Sequence, residues 1–374
     1  MVLRVKFIIV TIIIIRGWVY MVVNKKSISI NDLEVGMRIA KEIKINGQVL
    51  INQGVSITET AIRKLKDNYF ISEIEVYSIE EDTYEDEDTK KVKTIEEVDK
   101  TFTELSFDVE QVFVDMENLK VSGIEEVKKF AKKIQVELEA TSSIIKNIVL
   151  HGSGEDTIYR HCVNVTALSS ILGRWIGLNE NEINLLVYSG ILHDFGKTKI
   201  DKKVLDKPSA LTTREFNIIK SHPVIGYNYI KDVPFLNKSV GYAVLTHHER
   251  EDGSGYPLGL KGDKIHVFSK IIAIADVFDA VNSNRVYKQS KAPFEALEII
   301  RKESMGKLDY EYCNVFLSHV ANYYMGERVL LNSGAICKIV KIDINDIGRP
   351  LLLSDGDFID LKERKDLYIK KMVF

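Results

Sequence analysis

A chain of 374 residues with 45% hydrophobic residues exceeds one ordinary domain and has apolar material for a large core, so a principal domain with smaller modules is expected. Its 51 Lys and Arg against 54 Asp and Glu, a net charge of -3, exclude a broadly basic nucleic-acid-binding surface and a nucleic-acid polymer as partner. Three distant cysteines, Cys162, Cys313 and Cys337, form no CxxC, which argues against a disulfide framework or zinc-thiolate motif and fits the cytoplasm.

In chain order, residues 1–25 come first, with Arg4 and Lys6 ahead of the apolar run Phe7–Ile15. A membrane span needs about 20 apolar residues, and Arg16 interrupts this one. The segment reads either as an anchor to the cytoplasmic face of a membrane or as an over-extended start upstream of Met21. Residues 26–79 form a small β-rich module: glycine-broken runs in IAKEIKINGQVLINQGVSI, a helical stretch Glu59–Asn68, and IEVYSI. Residues 80–93 are an acidic linker, with seven acidic residues between Glu80 and Asp88. Apolar residues then recur at helical spacing through residues 94–326, in segments such as VNVTALSSILGRWIG and KIIAIADVFDAV. TTRE, Thr212–Glu215, has the spacing of a capping box, and Pro223 suits a first helical turn. Residues 327–374 change to short runs between turn residues, a small β extension. The predicted fold is mainly α: a multi-helix bundle with a small N-terminal α+β module and a short C-terminal β extension.

Within the helical region the histidines fall in sequence: His161, then His193 with Asp194, His222, and the pair His247 and His248, followed by Asp276. Imidazoles and carboxylates without thiolates suit first-row metals such as iron or manganese. Asp194 can bridge two ions. Adjacent residues on a helix diverge by about 100°, so His247 and His248 serve one cluster most easily from a helix end, and GSGYP follows them at once. Asp276 lies among apolar residues, where an unpaired carboxylate is unfavourable; Asp279 can support it from outside the ligand set. His266 and His319 lack partners in the pattern and read as structural; His151 receives no role.

The stretches LHDFGK, SHP, HHEREDGSGYP and IADVFDAVNSNRVYK, in this order, resemble the HD-GYP family of HD-domain metal phosphohydrolases, which cleave cyclic di-GMP. The resemblance covers residues 123–325. It implies an HD-type helical bundle whose metal ligands are His161, His193, Asp194, His222, His247, His248 and Asp276. It implies substrate contacts from Lys197, Tyr256, Arg285 and Lys288, and catalytic roles for Asp194 and Lys197. The implied reaction is attack of water on a 3′–5′ phosphodiester, giving pGpG or GMP, with Lys197 and Arg285 meeting developing charge. Three positions depart from the family pattern. Thr157 stands where some members carry a glutamate that helps hold a third metal, which favours two ions, with Glu155 or Asp156 as local replacements; HDFGK replaces HDIGK, and NRVYK replaces DRPYR. A cyclic-dinucleotide sensor with little turnover and an HD hydrolase of another nucleotide are the alternative readings. A homodimer is a further expectation.

Overall fold

A computed structural model describes residues 24–30, 33–34, 37–45, 48–51, 55, 57–68, 73–78, 95–117, 129, 131–133, 142–151, 157–233, 236–287, 294–354 and 356–373. Residues 1–23 with their apolar run, the acidic linker 80–93, Glu155, Asp156 and Lys288 lie outside the described residues. Arg285 lies on a described helix, but its side chain is outside the description. Among the described residues no helix is long and apolar enough to cross a membrane.

The chain divides into two compact units, residues 1–89 and 90–374. In the first, strands β1 (Asn24–Ser29), β5 (Glu73–Ser78) and β2 (Arg38–Ile39) form an antiparallel sheet in the order β1-β5-β2. β3 (Ile43–Ile45) and β4 (Gln48–Ile51) form a hairpin, and α1 spans Glu59–Asn68. Alternation along β5 turns Ile74 and Val76 inward, where they join Leu33, Ile39, Ile57 and Leu65 in a small core.

The second unit is helical for most of its length: α2 (Ile95–Glu117), α3 (Ser142–His151), α4 (Ile158–Trp175), α5 (Glu180–Leu192), α6 (Lys202–Leu205), α7 (Thr213–Ile219), α8 (His222–Ile230), α9 (Lys238–Thr246), α10 (Val267–Tyr287), α11 (Glu295–Glu303) and α12 (Tyr310–Val320). α4 is buried along most of its length and packs against α2, α5 and α10. Its start is set by Thr157, whose hydroxyl accepts from the Arg160 amide at 3.1 Å. Asn179 with Glu182 and Thr212 with Glu215 close reciprocal capping boxes at α5 and α7, the latter the TTRE signature of the sequence.

Strands β6 (Arg328–Leu331), β7 (Ile336–Lys341), β8 (Leu351–Ser354), β9 (Asp357–Asp360) and β10 (Ile369–Val373) form an antiparallel sheet ordered β10-β6-β7-β8-β9. Val329, Leu331, Ile339 and Leu352 belong to the same continuous core as Leu168, Ile272 and Phe316 of the helices. Short runs between turn residues predict the strands; that their inner face merges with the helical core is a tertiary fact.

Candidate metal centre

His161 projects from α4, His193 and Asp194 follow the end of α5, His222 opens α8, His247 and His248 follow α9, and Asp276 lies on α10. Their donor atoms form two neighbouring groups: Asp194, His222, His247 and His248 in one, and His161, His193 and Asp276 in the other, each with its atoms within 4.8 Å of one another. The seven residues expected as ligands are thus brought together.

Three of the imidazoles are fixed by one device. Nδ1 of His193 donates to the Gly190 carbonyl at 2.7 Å, Nδ1 of His222 to Ile219 at 2.8 Å, and Nδ1 of His247 to Val244 at 2.8 Å. Each acceptor lies in the last three residues of a helix, α5, α7 or α9. With the proton on Nδ1, the neutral ring presents a bare Nε2 lone pair to the interior. Nε2 of His222 and Nε2 of His247 then face each other at 3.2 Å with no proton to share. Nε2 of His193 and Oδ1 of Asp194 are buried without a hydrogen-bond partner. Converging lone pairs and an orphaned carboxylate oxygen are unfavourable unless a cation lies among them. The donor set therefore fits a metal.

Both aspartates span the two groups. Asp194 Oδ1 lies 3.2 Å from His222 Nε2 and 3.9 Å from His247 Nε2, while its Oδ2 lies 3.4 Å from His193 Nε2 and 3.7 Å from His161 Nε2. Asp276 turns Oδ1 to His161 Nε2 at 3.1 Å and Oδ2 to His248 Nδ1 at 3.7 Å. Burial works against charge on both carboxyls, but Lys197 holds Asp194, and His161 holds Asp276, well below the usual carboxylate range. Burial and neighbouring imidazoles push His247 well below its ordinary value; burial carries His248 down to about 3 against the pull of Asp276. Both imidazoles are neutral at physiological pH. His161 goes the other way: burial pushes it down, but Asp276 and Asp279 raise it to about 10.

Asp279 is an outer support of this arrangement. Its Oδ2 meets His161 Nδ1 at 2.7 Å, and its Oδ1 accepts from the Asn164 amide at 2.8 Å. Lys197 sits on a 3₁₀ turn, Phe195–Lys199, that returns its ammonium to Asp194 Oδ2 at 2.6 Å. Its first partner is therefore the carboxylate. Thr157 serves as a helix cap. His266 accepts from the Phe268 amide at 3.1 Å, His319 stacks on Trp175 at 4.3 Å, and His151 ends α3.

The mouth is shaped by the loop after His248. The Tyr256 ring stacks on His248, with centroids 4.7 Å apart, and its amide donates to the His248 carbonyl at 3.2 Å. Gly253 has φ +82, and a side chain at Gly255 would run into the backbone of His248, Glu249 and Arg250, so each requires glycine. Sequence reasoning passed over Glu249, which is buried and accepts from the amides of Leu258 at 2.6 Å and Leu260 at 2.9 Å. Its adjacency to the paired histidines was the available signal. Lys220 was also passed over; its ammonium lies 5.0 Å from the Tyr256 ring centroid.

The profile described as HD domain matches residues 138–311. A cyclic di-GMP phosphodiesterase of Pseudomonas aeruginosa is 34% identical over 197 residues, covering 52% of this chain and 47% of that protein. A 3'3'-cGAMP-specific phosphodiesterase of Vibrio cholerae is 36% identical over 167 residues, covering 44% of this chain and 38% of that protein. The chain spans about half the length, or less, of these curated relatives. Among solved structures, Bd1817, an HDG"Y"P protein from Bdellovibrio bacteriovorus, aligns over 79% of this chain and 99% of its own, with a TM-score of 0.52 and 20% identity, a likeness of fold.

Proposed function

We propose that the chain belongs to the HD-GYP branch of the HD domain family and, on that premise, is a cytoplasmic, metal-dependent phosphodiesterase that opens cyclic di-GMP to pGpG or GMP. The observation that carries this reading is the convergence of bare imidazole nitrogens on two points spanned by Asp194 and Asp276.

In this reading Asp194, His222, His247 and His248 would hold one divalent ion, and His161, His193 and Asp276 would hold a second. Iron or manganese suits a set of imidazoles and carboxylates without thiolate. Ions held by these residues would supply Lewis acidity toward a phosphate and toward water. The chain's own residues do the rest. Lys197 fixes the orientation of Asp194 through its 2.6 Å contact and adds positive charge beside the reacting phosphate. Tyr256 walls the mouth, and Arg285 supplies a planar fork and Lys288 a point charge for phosphate oxygens. Names of relatives include both cyclic di-GMP and 3'3'-cGAMP enzymes, so both dinucleotides belong in the assay.

The test is turnover of cyclic di-GMP and 3'3'-cGAMP by protein purified without oxygen and reconstituted with ferrous iron or manganese, alongside metal analysis of an Asp194→Ala variant. The expected result is metal-dependent pGpG or GMP, preferred from cyclic di-GMP, with the variant losing bound metal and at least about a hundredfold in rate. A folded, metal-loaded protein that binds without cleaving is a sensor instead.

A further inference from the structure

Resting on the phosphodiesterase reading, we infer that Lys220 is a substrate-binding residue: the cation that takes the second phosphate of a cyclic dinucleotide while the first lies at the metal centre. Lys220 caps the end of α7 and precedes His222 by two residues, so one short junction carries both a ligand and this ammonium. Its Nζ lies 5.0 Å over the Tyr256 ring and 5.5 Å over the Phe216 ring. Tyr256 is itself stacked on His248, so Lys220 stands one ring away from the centre.

The chemistry follows from what the two rings do and do not supply. Aromatic faces attract an ammonium but leave its N–H groups and net charge available to an anion. Among the described residues no carboxylate pairs with Lys220, whereas Lys197 is bound to Asp194 at 2.6 Å. A cyclic dinucleotide carries two phosphodiesters, and a two-ion centre engages only the one being cut. With Arg285 and Lys288 on the phosphate at the metal centre, the other calls for a further cation. Phe216, 50% exposed beside that cation, offers a face on which a base can stack.

Kinetics on two substrates test the assignment: cyclic di-GMP, and bis(p-nitrophenyl) phosphate, which has one phosphate and no second to seat. In Lys220→Ala the KM for cyclic di-GMP should rise about tenfold with little change in kcat, the scale of one charge-assisted hydrogen bond. The ratio of kcat/KM between the two substrates should fall by a similar factor, bound metal should match wild type, and Lys220→Arg should recover most of the loss. Equal losses on both substrates, a drop in metal content, or no rescue by arginine would assign Lys220 to holding Tyr256 and His248 and overturn the inference. A wild-type KM in Lys220→Ala overturns the inference alone. If wild-type protein cleaves the simple diester but neither binds nor cleaves cyclic dinucleotides, the cyclic-dinucleotide reading fails and the Lys220 assignment with it.

Discussion

His161 carries the proton that a bound ion has to displace. Its ring lies between Asp279 at 2.7 Å and Asp276 at 3.1 Å, and these carboxylates raise it to about 10 although burial opposes them. A metal ligand must offer a lone pair, so uptake of a cation well below that value expels a proton, and affinity rises with pH. His247 and His248, both pushed down, have none to give. Calorimetric titration of manganese near pH 8 in buffers of different ionisation enthalpy should report about one proton released per protein; zero would place His161 outside the centre. Much of this residue-level picture is legible in the sequence, because Asp276 and Asp279 are one turn apart on a helix, as are His161 and Asn164. The carbonyls behind His193, His222 and His247 are not, since a backbone acceptor leaves no mark in residue type.

The far end of the loop from His247 to Leu260 is tied to its start by one side chain. Glu249 uses both oxygens on the amides of Leu258 and Leu260. Glu249→Gln keeps one acceptor and turns an N–H toward the other amide, so a buried bond becomes a repulsion worth about 1–3 kcal/mol. The expected outcome is faster amide exchange at Leu258 and Leu260 and a several-fold higher KM for cyclic di-GMP, with metal content retained. Loss of the metal instead would make Glu249 a support of His248. At this scale legibility follows locality. The Thr212–Glu215 box is readable because its partners are three residues apart, whereas in HHERED a glutamate reads as a solvated charge, its partners lying nine and eleven residues on.

At the level of the molecule, the helices and the C-terminal sheet stand or fall together. Leu352 of β8 is fully buried in the core that also holds Leu168 and Phe316. Leu352→Ala should destabilise the protein by about 2–5 kcal/mol, and thermal unfolding of the variant should remain one transition for residues 90–374, with metal release and loss of sheet coinciding. Two separated transitions would make the sheet an independent module. The sequence shows the change of period at residue 327 but not which faces meet, so it suggests a boundary where the core has none. The three histidines backed by helix-end carbonyls carry one more consequence. Each serves a helix terminus as well as the proposed centre, whereas the Asp194 side chain caps nothing. A descendant that abandoned the reaction would still be under selection to keep His193, His222 and His247, while position 194 drifted. Retained histidines in such a lineage would record the architecture of an ancestor; the aspartate alone would testify that the trade is still practised.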